Sequence, residues 1–145
     1  MLRILRLKTV TDEQVDEIKR LMVELDPEIL VTSDMVRAAV EAPGTCFFAL
    51  MDDVHIVGCA SLCVCHSPTG KKAHIEDVVV LSSYCGQHWG RRLIEHVIEY
   101  ARKELKPVDL FLTSRPQRVA ANELYQSLGF RQKVTNVYLM KIKAD

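Results

Sequence analysis

Apolar and polar residues follow two distinct periods along the chain, and each period predicts one kind of element. Apolar residues at every second position, or in a short uninterrupted run, are typical of strands. The predicted strands are Leu2–Thr9, Cys46–Met51, Ile56–Cys65, Ala73–Leu81, Val108–Thr113 and Asn136–Ile142.

Four other segments carry apolar residues at a helical period and are bounded by capping or breaking residues. The predicted helices lie between Thr11 and Pro27, between Ser33 and Pro43, between Gly90 and Pro107, and over Val119–Leu128. Thr11 has capping-box spacing to Gln14. Ser33 is expected to cap the second helix, and Gly129 follows the last helix at the position that favours glycine.

The order of these elements is strand, helix, helix, three strands, helix, strand, helix and strand, which predicts one α+β domain over residues 1–145. A hairpin-like loop is expected over residues 66–72, so that the three central strands form an antiparallel meander. No internal repeat, linker or low-complexity segment divides the chain.

Composition excludes several classes of protein. Apolar residues make up 48% and charged residues 26%, which is close to the average for globular domains. Because 19 basic residues balance 19 acidic ones, a general attraction to nucleic acid or to an anionic membrane has no support. No apolar run is long enough to span a bilayer, and basic residues interrupt the apolar N-terminus, so it lacks a signal-peptide core.

The five cysteines favour a reducing cytoplasm over a disulfide framework, because their number is odd and no C-x-x-C pair occurs. Cys59, Cys63 and Cys65 share one face of a predicted strand, where thiols act as small apolar side chains. His66 and His74 lie nearby, but zinc-ligand spacing is missing, so no metal site is predicted.

A turn with two glycines, Gly86 and Gly90, joins a buried strand to a predicted helix. Such a turn can direct several backbone N–H groups at one point, and the helix N-terminus adds a partial positive charge. Arg91 and Arg92 oppose the helix dipole, a local cost that a bound polyanion would offset. The pattern predicts a phosphate or pyrophosphate site, and by itself it leaves a nucleotide, coenzyme A or a plain tight turn open.

Three segments resemble the GNAT superfamily of acetyl-CoA-dependent N-acetyltransferases. They are HIEDVVV at residues 74–80, YCGQHWGRRL at residues 84–93 and ANELYQSLGF at residues 121–130. The resemblance implies a mixed, mostly antiparallel sheet flanked by helices, with strands that splay apart at the coenzyme site. It also implies direct transfer of an acetyl group from acetyl-CoA to a primary amine of a small molecule, an amino acid or a protein N-terminus, without a metal.

The phosphate-binding motif of that family, Q/R-x-x-G-x-G/A after an aromatic residue, is matched only in part. Tyr84, Gly86 and Gly90 match it, whereas Cys85 stands where Arg or Gln is usual and His88 replaces the middle glycine. Glycine lets the backbone approach the pyrophosphate and take unusual φ/ψ angles, and His88 is expected to restrict both. Because backbone N–H groups make most of the contacts, weakened but retained coenzyme A binding is expected.

The resemblance implies a set of coenzyme-binding residues on the strand, the turn and a later helix. They are Val78, Val79, Val80, Gly86, Gln87, His88, Trp89, Gly90, Arg91, Arg92 and Asn122. Freed backbone groups of Val78 and Val80 would hydrogen-bond the acetyl carbonyl and the pantetheine arm. For Asn122 a helix-packing role stays open, and Trp89 is expected to pack the start of the helix.

Two catalytic residues are implied by the same resemblance. Tyr125 matches the tyrosine that gives a proton to the departing thiolate, and its alternative role is that of a core aromatic. Glu76 matches an acidic residue that draws the proton of the amine, often through water, in enzymes acting on polyamines and glucosamine 6-phosphate. Glu76 and Asp77 are expected on opposite faces of the strand, so at most one would face the acceptor. The alternative for Glu76 is a surface carboxylate.

The acceptor itself is not specified by the sequence. Acidic residues on the two N-terminal helices hint at a cationic acceptor or form a solvated face, and they are Asp26, Glu28, Asp34 and Glu41. A rival hypothesis is a non-catalytic GNAT-like module that senses acyl-CoA or binds a protein, favoured by Cys85 and His88. Homodimers are common in families that look like this one, so a homodimer is a further expectation.

Overall fold

The structure, a computed structural model, describes residues 1–145, which divide into two compact units, Met1–Thr113 and Ser114–Asp145. The first unit holds a five-stranded sheet with strand order β1-β2-β3-β4-β5, in which β1 to β4 are antiparallel and β5 is parallel to β4. The strands are β1 (Leu2–Leu7), β2 (Thr45–Asp52), β3 (His55–Ser67), β4 (Gly70–Val80) and β5 (Asp109–Phe111). The mixed, mostly antiparallel sheet confirms the predicted fold class, and the single domain over 1–145 stays a prediction.

Four α-helices accompany the sheet. They are α1 (Asp12–Leu25), α2 (Ser33–Glu41), α3 (Trp89–Tyr100) and α4 (Val119–Ser127). The predicted capping box is confirmed, because Gln14 N–H donates to Thr11 Oγ1 at 3.1 Å and Thr11 N–H donates to Gln14 Oε1 at 3.0 Å. The cap of α2 is Thr32, whose hydroxyl accepts from the Met35 N–H, and the predicted cap Ser33 is the first helical residue instead.

Helices cover both faces of the sheet in the first unit. Neighbouring residues of a strand point to opposite faces. Phe47 packs with α1 and α2, whereas the ring of Phe48 meets those of His96 and Tyr100 on α3, each at 5.3 Å between centroids. Phe48 is 1% exposed, so its ring is enclosed between the sheet and α3.

Two predicted boundaries are wrong for a local reason. The loop expected over residues 66–72 is shorter, because β3 continues to Ser67 and β4 begins at Gly70, which takes φ +128°. The strand expected over Val108–Thr113 is reduced to Asp109–Phe111, because β5 pairs with β4 over only three residues.

The strand predicted at Asn136–Ile142 does not form. Residues beyond Gly129 adopt no regular secondary structure, and Val137, Leu139 and Ile142 are between 76% and 88% exposed. The segment is rich in strand-forming residues, but a strand needs a hydrogen-bonding neighbour before it forms. Gly129, by contrast, follows α4 with φ +102°, as its position predicted.

None of the helices combines the length and apolar composition required to cross a membrane.

Candidate active site

The edge of β4 is open where it approaches α3. β4 and β5 pair only from Lys72 to His74 on β4, so the strands separate beyond His74. The Leu81 N–H donates to Val57 O on β3 at 2.9 Å, and backbone groups of successive strand residues point to alternate edges. The backbone of Val80, and of Val78 two residues before it, therefore faces the edge that β5 leaves free.

A β-bulge interrupts β4 at Asp77. Cys59 pairs with Val79 and Ser61 pairs with Glu76, so β4 has one residue more than β3 in this stretch. Asp77 takes φ +52°, a left-handed conformation that few non-glycine residues adopt. Such outliers persist only where surrounding structure enforces them, and they cluster at functional sites.

The bulge also decides where the two acidic side chains point. Glu76 is the partner of Ser61 across the ladder and shares its face, while Asp77 and Ser61 line one cavity. The pKa of the Cys63 thiol on β3 is raised by burial first, and then by the negative charges of Glu76 and Asp77. Both carboxylates therefore lie near the same thiol. The expectation that the two carboxylates lie on opposite faces is therefore wrong, because the extra residue breaks the two-residue alternation.

The turn between β4 and α3 is tied to the rest of the first unit at two points. Glu24 of α1 accepts hydrogen bonds from Ser82. The hydroxyl of Tyr84 donates to the Asp52 carboxylate at the end of β2, and that hydrogen bond is the main cause of a raised pKa for Tyr84. The turn is thus held by side chains from two other elements before the helix begins.

Left-handed backbone shapes the turn itself. Gly86 has φ +83° and His88, the residue before α3, has φ +64°. A Cβ at Gly86 or Gly90 would meet no protein atom within 4 Å, so the surroundings of both are open. No side chain caps the N-terminus of α3. Open space around exposed backbone at a helix N-terminus fits a phosphate group. His88 adopts the left-handed backbone conformation that a glycine would take most easily at this position.

The remaining side chains of the turn form a small polar surface. The guanidinium carbon of Arg92 lies 4.6 Å from the centre of the Trp89 ring, and the Trp89 indole donates to Gln87 Oε1 at 3.4 Å. Arg91 pairs with Glu95 at 2.8 Å. Trp89, the first residue of α3, thus packs against Arg92 within the first turn of that helix, as expected.

The second unit carries the two remaining predicted site residues. Tyr125 of α4 is half-buried, and its ring meets that of Phe130 edge-on at 6.2 Å between centroids. The side-chain amide of Asn122 donates to Arg115 O at 2.9 Å, which fixes the loop before α4. Asn122 thus contacts the loop before its own helix, and both its coenzyme-binding and its helix-packing role stay predictions.

A cavity of about 230 Å³ lies in the first unit between α1, the α1–α2 connection, α2 and the sheet. Nine apolar side chains and the polar residues Asp26, Ser61 and Asp77 line it. Burial raises the pKa of the Asp77 carboxyl. The cavity can hold a small molecule against the carboxylates of Asp26 and of Asp77, a residue that stays exposed to solvent at its border.

Sequence patterns alone did not locate this cavity, because its walls come from separate elements that only the fold brings together. The one signal was the acidic character of the N-terminal helices, and of the four acidic residues named for it only Asp26 lines the cavity. No group of three or more His, Cys, Asp or Glu side chains is arranged to hold a metal ion.

Comparison with known proteins agrees with this geometry. The model of the Acetyltransferase (GNAT) family matches residues 10–130. An acetyltransferase of Trypanosoma brucei is 25% identical, with a TM-score of 0.74 over 97% of this chain and 100% of its own. A protein of Agrobacterium tumefaciens strain C58 that is assigned as an acetyltransferase is 24% identical, with a TM-score of 0.80 over 97% of this chain and 99% of its own.

An aminoglycoside N-acetyltransferase, AAC(6')-Iy, was solved in complex with CoA and shares the fold. It is 18% identical, with a TM-score of 0.74 over 97% of this chain and 95% of its own. The sequence has no match among curated proteins. Since the family model spans most of the sequence and solved acetyltransferases share the fold, the chain belongs to the GNAT acetyltransferase family.

Proposed function

We propose that the chain transfers an acetyl group from acetyl-CoA to a primary amine. The observation that carries this proposal is the open edge of β4 that leads, through a turn with left-handed Gly86 and His88, into the uncapped N-terminus of α3. The edge supplies backbone groups for an extended arm, and the turn supplies N–H groups for a pyrophosphate. Acetyl-CoA has both parts in that order.

In this proposal the backbone of Val78 and Val80 hydrogen-bonds the pantetheine arm and the acetyl carbonyl, with Val79 between them. The N–H groups of residues 86–92 bind the pyrophosphate, and the side chains of Trp89 and Arg92, already stacked on each other, border it. A polyanion there also explains basic residues in the first turn of α3, where they oppose the helix dipole. Asn122, the remaining coenzyme-binding residue that the family resemblance implies, holds the loop before α4.

The proposed chemistry is direct attack of the amine on the thioester. Glu76, exposed beside the cavity, takes a proton from the ammonium group through water, so that the nitrogen lone pair is free to attack. The C–N bond forms, the C–S bond breaks, and the hydroxyl of Tyr125 gives a proton to the departing thiolate. The proton that the acylated nitrogen then loses returns to the Tyr125 oxygen through water. These two roles follow from the family resemblance of segments 74–80 and 121–130.

The test is a calorimetric titration of the protein with acetyl-CoA, with desulfo-CoA as the control, followed by release of free thiol in the presence of amines. Micromolar binding and amine-dependent thiol release are expected. Absence of binding at millimolar acetyl-CoA would overturn the proposal. Binding without release for any amine would favour the rival, a non-catalytic acyl-CoA sensor.

We also propose a homodimer in a reducing compartment such as the cytoplasm. Residues 134–142 expose all their apolar side chains, including Val137, Tyr138 and Leu139 at 76–88%, and exposed apolar segments of strand-forming residues pair readily with another copy. All five cysteines are free, and Cys65 and Cys85 are exposed thiols, which supports a reducing environment.

We propose no nucleic-acid partner, because the net charge of the chain is zero and gives no general attraction to phosphates.

A further inference from the structure

We infer that the acceptor is a small primary amine with an apolar body and no anionic group, and that the cavity under α1 and α2 binds it. The inference rests on the proposed function, because it identifies the acceptor class of that acetyl transfer. Its evidence is separate, since it comes from the walls of the cavity and owes nothing to the coenzyme turn.

The walls of the cavity are apolar on three sides. Ile18, Met22 and Leu25 come from α1, Met35, Val36 and Ala39 from α2, and Phe47 closes the cavity from the sheet. Hydroxyl groups of a sugar placed against these side chains would lose water without gaining hydrogen bonds, which is costly. An apolar body gains from the same burial.

The few polar groups of the cavity suit an ammonium group. The carboxylate of Asp77 and the hydroxyl of Ser61 form no hydrogen bond or ion pair within the chain, although Ser61 is only 7% exposed. Asp26 accepts a hydrogen bond from the Glu28 N–H through Oδ1 at 3.1 Å, which leaves Oδ2 to accept one from a ligand. An ammonium offers three donors and no acceptor, so it suits a cavity whose polar groups are carboxylate and hydroxyl oxygens.

The cavity has no partner for an anion. No Lys, Arg or His side chain lines it. The α-carboxylate of an amino acid or the phosphate of a sugar phosphate would find only the carboxylates of Asp26 and Asp77 as charged groups in this cavity, and like charges repel. Amino acids and sugar phosphates are therefore disfavoured as acceptors.

The size of the cavity limits the apolar body. A dry cavity of about 150 Å³ holds benzene. The volume of about 230 Å³ here leaves room for a ring and a short amine-bearing arm. Ile29 and Met35, which are 55% and 49% exposed, extend the apolar surface at the border of the cavity. An arylalkylamine or branched alkylamine fits these dimensions.

The inference is tested by acetyl transfer to three matched amines, namely 2-phenylethylamine, phenylalanine and glucosamine. We expect kcat/KM for 2-phenylethylamine to exceed that for each of the others at least tenfold, because only this amine lacks both a carboxylate and sugar hydroxyls. A preference for phenylalanine or glucosamine would overturn the acceptor class while leaving acetyl transfer intact.

Direct binding separates failure of this inference from failure of the proposed function. Ligand-observed NMR should detect 2-phenylethylamine on the protein, and 2-phenylethanol, which lacks the ammonium, should bind at least tenfold more weakly. This result holds even if acetyl-CoA does not bind. Equal binding of the amine and the alcohol would overturn the role of the carboxylates.

A pair of variants on α2 tests the location. Ala39→Phe places a ring in the cavity, whereas the matched control Ala38→Phe adds the same ring at a neighbouring position that does not line it. Ala39→Phe should lower kcat/KM for 2-phenylethylamine and its binding at least tenfold, with acetyl-CoA affinity unchanged. The control should change neither. Equal effects of the two variants would contradict the assignment of the cavity.

Discussion

The carboxylate of Glu24 accepts two hydrogen bonds from Ser82, one from its N–H at 3.1 Å and one from its hydroxyl at 3.4 Å. Glu24 lies in the last turn of α1, and Ser82 begins the turn that leads from β4 into α3. The two residues are 58 positions apart in sequence. The helix that forms one wall of the cavity therefore also holds the segment proposed to bind pyrophosphate.

Glu24→Ala should loosen that turn. Loss of hydrogen bonds to a charged acceptor costs about 1–3 kcal/mol where solvent is excluded, and the exposed position of this pair favours the lower end. We expect weaker acetyl-CoA binding, about two- to tenfold in Kd, with the fold intact by circular dichroism. Asp16→Ala, which removes an exposed carboxylate from the same helix, is the control and should leave Kd unchanged.

His88→Gly should stabilise the protein. A non-glycine residue in the left-handed region costs about 1–2 kcal/mol, and glycine loses about 0.5–1 kcal/mol through its greater freedom in the unfolded chain. The net gain in the free energy of unfolding should be about 0.5–1 kcal/mol, measured by urea denaturation. His88→Ala separates the backbone effect from loss of the imidazole, because alanine keeps the strain and should give no gain. Destabilisation by glycine would show that a contact of the imidazole stabilises the fold by more than the backbone strain destabilises it.

Tyr125→Phe should slow turnover while leaving acetyl-CoA affinity unchanged. Removing a general acid typically lowers the rate about 10²- to 10⁴-fold, whereas the ring contact with Phe130 is kept. Steady-state kinetics and calorimetry measure the two quantities separately. Tyr138→Phe is the matched control at an exposed position and should behave as the parent protein. An unchanged kcat in Tyr125→Phe would remove this residue as the proton donor.

Asp77→Asn should raise stability at neutral pH and have no such effect in acid. Burial raises the pKa of Asp77 in the folded protein above its usual 3.8, so the folded state holds the proton more tightly than the unfolded state. Stability is therefore lost as pH rises from the unfolded pKa through the folded pKa. Melting curves should show a higher Tm for the variant at pH 7 and no difference near pH 3. The same Tm difference at both pH values would point to packing instead of charge.

Leu139→Lys should weaken self-association. Leu139 is 79% exposed within the apolar run of residues 137–140, and a lysine there would bury a charge in the proposed dimer. Sedimentation of the parent chain should show a dimer, and the variant should be at least tenfold weaker in dimer affinity. Gln132→Lys adds the same charge outside residues 134–142 and should sediment as the parent. A monomeric parent chain would contradict the proposed homodimer.

Local patterns predicted the elements whose boundaries depend on local chemistry. The capping box of Thr11 and Gln14, the helix-ending Gly129 and the strand starting at Leu2 all appear where expected. The prediction of a strand at Asn136–Ile142 failed because its strand-forming residues leave the pairing partner open. The prediction that Asp77 lies on the face opposite to Glu76 failed for a related reason. A bulge adds one residue to β4, and the sequence pattern does not reveal it.

By itself, the sequence determined the fold class, the family and the segment proposed as the coenzyme turn, because periodicity, caps and short motifs are local properties. Only the tertiary structure decided the side on which Asp77 lies, the left-handed backbone of His88 and the existence of the cavity. Each of these depends on residues from several elements meeting in space. The cavity walls span residues from Ile18 to Asp77, and no local pattern encodes which of them face each other.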